Sequence, residues 1–181
     1  MKDASDGILV ERVLAGESRV YARLVERYRA PLARYALRML GNEEDAEDAL
    51  QDTFVRAYRS LPRCRGPDGF GPWVFGILVN RCRTYASRRA RTRDIMVRSD
   101  VALAAASVPP PDEGEALRDA LHRALSRLPA EQREAFLLRH VEDLTYETME
   151  TVTGVRQATL RMRVFRARDE LRKLLAETVR D

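Results

Sequence analysis

"VRQATLRMRVFRARDEL", residues 155–171, sets five arginines among apolar residues at helical spacing. Leu160, Val164, Ala167 and Leu171 recur at i, i+4, i+7 and i+11, one stripe of a 3.6-residue period, which predicts the side packed on a core. The opposite side carries Ala158, Arg161, Met162, Phe165, Arg166 and Asp169. A merely solvated face has no use for Phe and Met between arginines, whereas an apolar patch rimmed by guanidinium groups marks a contact surface. The plain alternative is that another element covers Phe165.

The upstream sequence bears on that choice. Thr145 is placed to cap a short helix running to about Thr153, and Gly154 turns the chain into the arginine-rich stretch. A short helix, a glycine turn and a long basic helix make the helix-turn-helix pattern, whose second helix enters the major groove. Arg161, Met162, Phe165 and Arg166 then face DNA, where a ring meets thymine methyl groups or sugars. Residues 116–175 divide into four helices, with Leu128-Pro129 ending one and starting the next.

Between the two halves lies "SDVALAAASVPPPDEGE" (99–115), whose three consecutive prolines stop a helix and favour extended chain. A domain boundary belongs here, so the expected division is 1–96, a linker at 97–114, and 115–181. In the first half, Leu24, Tyr28, Leu32, Tyr35 and Met39 mark one buried helix face. Gly41 ends that helix. Asn42 is placed to cap the next, with Glu43, Glu44 and Asp45 in the first turn, where the helix dipole favours acids. "EEDAEDALQDTFVRAYRSL" (43–61) buries Ala46, Leu50, Phe54 and Ala57 and shows Glu47, Asp48, Gln51 and Asp52. This is either a solvated acidic face or a docking surface for a basic partner.

After the loop "RCRGPDGFGP" (63–72) comes "WVFGILVNRCRTYASRRARTR" (73–93). Here Arg81, Arg83, Arg88, Arg89, Arg91 and Arg93 surround Tyr85, with Phe70 and Trp73 just upstream. Arginines hold a backbone and rings stack on unpaired bases, so the segment suits single-stranded nucleic acid; the plain reading is that Trp73 and Phe75 are simply core.

Composition agrees with a folded, soluble chain: 181 residues, 45% hydrophobic, 33% charged, net charge +4. Nearly every positive charge is arginine, only Lys2 and Lys173 being lysines. Cys64 and Cys82 lack metal-ligand spacing and read as thiols of a reducing cytoplasm, with no redox role expected. No apolar run is long enough for a signal peptide core or a membrane span. The expected location is cytoplasmic, and no cofactor or metal is expected.

Three stretches together resemble the extracytoplasmic-function sigma factors, of the sigma-70 family, of bacterial RNA polymerase. "DAEDALQDTFVRAYRSL" (45–61) is similar to that family's core-binding helix and "FGPWVFGILVNRCR" (70–83) to its promoter-melting segment. "LPAEQREAFLLRHVEDLTYE…GVRQATLRMRVFRARDELR" (128–172) is similar to its C-terminal helix-turn-helix. The resemblance implies an all-α fold of two small helical domains, a region 2 bundle and a region 4 helix-turn-helix, joined by an extended linker. It implies a non-enzymatic protein that binds core polymerase and directs it to promoters. Asp48, Gln51 and Asp52 would face the polymerase clamp helices. Arg65, Gly66, Asp68, Phe70, Trp73, Asn80, Arg83 and Arg88 would read and melt the minus-ten element. Arg156, Thr159, Arg161, Met162, Phe165 and Arg166 would contact the minus-thirty-five element. The linker would run through the polymerase toward the RNA exit path; about eighteen residues reach roughly 60 Å, against about 58 Å for seventeen base pairs. An anti-sigma protein covering both domains is a further implied partner.

The chain departs from the family's usual pattern at several positions. Glu150 and Ala158 stand for small residues, Thr153 for an aliphatic one and Met162 for a small polar one. Cys64 stands for an aromatic residue and Gly76 for a basic one, and Val155 is a poor N-cap. These departures predict an unusual minus-thirty-five preference and a second domain that is marginally stable alone. The alternative function is a helix-turn-helix regulator that does not dock on polymerase, but it leaves helix 43–61 and segment 70–93 without a role. A DNA-cleaving enzyme would need converging carboxylates, and the only acidic cluster lies along one helix.

Overall fold

The computed structural model describes residues 4–66, 69–96 and 113–178, and gives the backbone alone for residues 89–96, 113–119 and 177–178. Among these residues the chain forms eight α-helices and no strand, the all-α class expected. The helices are α1 (Asp6–Leu14), α2 (Tyr21–Leu40), α3 (Glu43–Arg59), α4 (Phe70–Met96), α5 (Glu113–Arg127), α6 (Ala130–His140), α7 (Tyr146–Thr153) and α8 (Gln157–Thr178).

Local chemistry fixes the corners. Gly41 ends α2 in the left-handed conformation at φ 78°, which a side chain adopts only with strain. Asn42 Oδ1 then accepts from the Asp45 amide at 2.7 Å, with three acids following in the first turn of α3. Asp6 of α1 accepts from Arg27 and Tyr28 of α2, tying the N-terminal helix to the bundle.

The α1–α4 core is built from Leu24, Leu32 and Tyr35 of α2, Ala49 and Leu50 of α3, and Phe70, Val74, Leu78 and Cys82 of α4, all essentially fully buried. Each large apolar side chain removed from water contributes about 1.5–3 kcal/mol. Rings interlock through this core, with Tyr28 5.3 Å from Phe70 and Tyr35 5.9 Å from Phe75. Gly71 makes the first contact possible: a Cβ there would stand 2.9 Å from Tyr28 Oη.

The second half is a smaller helical cluster. Leu137 and Leu138 of α6, Met149 of α7 and Leu160, Val164, Ala167 and Leu171 of α8 form its centre. All four members of the stripe predicted for 155–171 are buried. Thr145 Oγ1 caps α7 by accepting from the Thr148 amide at 3.2 Å, and Gly154 turns out of it at φ 70°. Val155 is not the cap of α8, which begins at Gln157. Instead Thr153 Oγ1 accepts from the Val155 amide at 3.1 Å, so the threonine that replaces an aliphatic residue supports the turn.

The two halves pack directly on one another, α4 along α7 and α2 against α5 and α6. Arg83 of α4 forms a two-pronged ion pair with Glu134 of α6, Nε to Oε2 at 2.8 Å and Nη2 to Oε1 at 2.7 Å, and also donates to the Thr153 carbonyl. Glu134 is only 3% exposed, so this guanidinium is what makes its burial tolerable. Arg133 donates to the Met39, Ser126 and Leu128 carbonyls, joining the C-terminal ends of α2 and α5. Gly76, standing where the family usually has a basic residue, packs closely against α7: an added Cβ would lie in van der Waals contact with the Val152 carbonyl, at 3.4 Å.

Candidate nucleic-acid interface

The outer side of α8 is open. Phe165 is 69% exposed and Met162 50%, and Arg156, Thr159, Arg161 and Arg166 are exposed beside them. Among the described residues no element covers Phe165, which counts against the plain alternative for that residue. The apolar pair sits inside a guanidinium rim, the arrangement expected of a groove-reading helix rather than of a solvated one. At the N-terminal end of α8, Arg161 lies over the Tyr146 ring at 5.1 Å, and Arg139 stands 5.7 Å from the same ring. Gln157 Nε2 donates to Glu150 Oε2 at 3.0 Å, joining α7 to α8 across the turn.

The residues expected to meet melted DNA divide into two groups. Arg65 and Gly66 are exposed on the loop before α4, Asn80 is exposed on α4, and Trp73 is half-buried at its base. Arg88 is exposed one turn from Tyr85, its guanidinium 5.8 Å from the ring. Asp68 lies outside the described residues. Phe70, by contrast, is not a surface residue: it is fully buried, with Tyr28 and Trp73 rings 5.3 and 5.9 Å away. Burial in the ring cluster overrides its expected role in base contact, and Phe70 instead supports Trp73 from below. Arg83 is also not displayed as a free cation, because Glu134 holds both prongs of its guanidinium. The α7 residues Thr148 and Thr151 line the same groove as Arg65, Trp73 and Asn80.

On α3, Asp48 and Gln51 are exposed, and Gln51 leans on Glu47, which pairs with Arg29 at 3.0 Å. Asp52 is half-buried and flanked by Arg56 and Arg81, each at 3.5 Å. Asp48 is therefore the most available acid of this set. Beside this row Val55 and Tyr58 are exposed, with Tyr21 and Phe54 beneath them, so the acidic face borders an apolar one that the charge pattern did not reveal.

Burial pushes the Cys82 thiol up to about 12, the Glu134 carboxylate adding to the effect. Burial likewise raises Cys64, with Asp6 contributing. Both thiols stay protonated at neutral pH and are poor nucleophiles. Among the described residues no group of three or more His, Cys, Asp or Glu could hold a metal ion. No described helix is long and apolar enough to cross a membrane.

Sequence reasoning missed Glu134 and Tyr146. Glu134 carried a signal, since it stands on the apolar stripe of α6, three and four residues before Leu137 and Leu138. Tyr146 carried none, because its partner Arg161 is distant in sequence.

Two family descriptions match the chain: sigma-70 region 2 over residues 24–92 and sigma-70 region 4 over residues 118–171. The chain is 32% identical to the RNA polymerase sigma-H factor of Pseudomonas aeruginosa, over 97% of its own length and 96% of that protein's. It is 33% identical to the ECF RNA polymerase sigma-E factor of Haemophilus influenzae, over 91% and 92% of the two chains. Among solved structures it is similar to the sigma factor RpoE of Bartonella quintana, crystallised in complex with the anti-sigma factor NepR. That likeness has a TM-score of 0.70 at 27% identity and covers 86% of this chain and 96% of that one.

Proposed function

Because the chain belongs to the sigma-70 family, in its extracytoplasmic-function group, we propose that it docks on core RNA polymerase and brings it to a dedicated set of promoters. The clamp-facing surface is the α3 row of Asp48, Gln51 and Asp52, whose acids suit a basic partner helix. The minus-ten surface comprises Arg65, Gly66, Asp68, Trp73, Asn80 and Arg88, with Phe70 acting through Trp73 and Arg83 held back by Glu134. The minus-thirty-five surface is the outer side of α8, from Arg156 to Arg166. The linker at 97–114 sets the spacing between them. The chain supplies recognition and strand separation, while bond-forming chemistry remains with the polymerase, in the cytoplasm. Its restraining partner is an anti-sigma protein.

The observation that carries this reading is the coexistence of an open Phe165–Met162 patch in an arginine rim with an open acidic row on a separate helix. A helix-turn-helix regulator needs only the first. Run-off transcription with core polymerase tests the reading, using a genomic fragment library and the Asp48→Ala and Arg166→Ala variants. Discrete transcripts that weaken with both substitutions are expected. DNA binding without any polymerase-dependent transcript would overturn it.

A further inference from the structure

The Glu150–Gln157 bond fixes more than the angle between α7 and α8. A carboxylate only accepts, so the Gln157 side chain must turn its NH₂ group toward Glu150 and its carbonyl oxygen away. That oxygen points toward Arg161, whose Nη2 makes a long contact with it at 3.5 Å. Arg161 is held from its other side by the Tyr146 ring, its guanidinium 5.1 Å from the ring centre. Gln157 is the first residue of α8 and Arg161 lies one turn further on. The N-terminal end of the second helix is the part of this motif that meets base edges.

The chemistry of the two side chains then differs in consequence. A free glutamine reads adenine through a bidentate contact, its Nε2–H donating to N7 and its Oε1 accepting from the N6 amino group. Glu150 takes one of the two N–H donors of that NH₂ group and Arg161 leans on the carbonyl oxygen, so the Gln157 amide is already engaged at both ends and gives up these contacts when it turns to a base edge. An arginine pinned by a ring and a carbonyl oxygen retains donors for the O6 and N7 atoms of guanine.

We infer that Glu150 and Tyr146 are specificity-positioning residues: Glu150 withholds Gln157 from adenine, and Tyr146 with Gln157 aims Arg161 at a guanine of the upstream promoter element. This rests on the sigma-factor reading above. It also gives a use to Glu150, one of the positions at which the chain departs from its family's pattern.

The test is transcription by full-length protein and core polymerase from templates with a randomised upstream element, followed by sequencing of the productive templates. The wild-type chain is expected to enrich one guanine by about five- to a hundredfold. Glu150→Ala should add adenine enrichment of about fivefold at the neighbouring base pair, while Glu150→Gln, whose amide oxygen still accepts from Gln157, keeps the wild-type preference. Tyr146→Leu should lower the guanine enrichment about fivefold, and Tyr146→Phe, which keeps the ring, should preserve it. Unchanged base preferences in both Glu150→Ala and Tyr146→Leu would overturn the inference. So would a uniform loss of transcription at every sequence, which marks a purely structural role. Absence of any promoter-dependent transcript from the wild-type chain would instead overturn the sigma-factor reading itself.

Discussion

Replacing Arg83 with alanine removes the partner of a carboxylate that is 3% exposed. Breaking a fully buried pair from one side costs about 3–5 kcal/mol, and an exposed pair about 0–1 kcal/mol. Here the carboxylate is buried while the guanidinium side chain is 37% exposed, so water softens the loss. The expected destabilisation is about 2–3 kcal/mol, between those limits. Glu134→Ala is milder, because the released Arg83 can turn to solvent; about 1–2 kcal/mol is expected. The double variant should then resemble Glu134→Ala alone, leaving a coupling of about 2–3 kcal/mol, the full cost of Arg83→Ala. Arg83→Lys should fall between wild type and Arg83→Ala, since a single ammonium does not reproduce the two-pronged contact. Urea unfolding of the four full-length proteins measures the cycle, and each kcal/mol should also appear as about 2–4 °C in the melting temperature. Additivity within about 0.3 kcal/mol would refute the reasoning, because residues that do not touch add.

Gly154→Ala should cost about 1 kcal/mol in urea unfolding, because φ 70° strains any residue with a Cβ even though the space around it is open. Cys82 should react with a thiol reagent at pH 8 only as fast as the chain unfolds, and Cys64 before it; equal labelling of both in the native protein would contradict their burial. Burial raises the Glu142 carboxyl above its usual range despite Arg34 and Arg38, so its contribution to stability is present at low pH and lost as pH rises through that raised value. Glu142→Gln should therefore raise the melting temperature by a few degrees near pH 7 and by little near pH 4, and a gain of equal size at both would refute it.

The local features were legible because short-range chemistry determines them. Asn42, Thr145 and Gly154 each occupy the cap their side chain or its absence predicts, and the 160–164–167–171 stripe is buried as its period requires. Phe70 and Arg83 were assigned by composition and position, and here non-local packing decided otherwise. An aromatic residue beside a basic helix is equally suited to a base or to another ring, and only the tertiary approach of Tyr28 through Gly71 separates the two. Arg83 looked like its neighbours in an arginine-rich segment, yet its partner lies 51 residues away on a helix beyond the linker. The apolar patch beside the α3 acids escaped notice for a related reason: helix 43–61 shows a third face that a two-sided reading does not anticipate.

Gly76 and Glu134 also bear on how such a protein changes over generations. Two-domain recognition proteins invite recombination, in which one lineage acquires the upstream reader of another and with it a new set of genes. Here the seam is not neutral ground. A transplanted α5–α8 cluster must bring an acid opposite Arg83, and its α7 must fit closely along α4 at Gly76. The two halves thus meet as a matched pair, and hybrids between relatives should work best when positions 76, 83 and 134 come from the same parent.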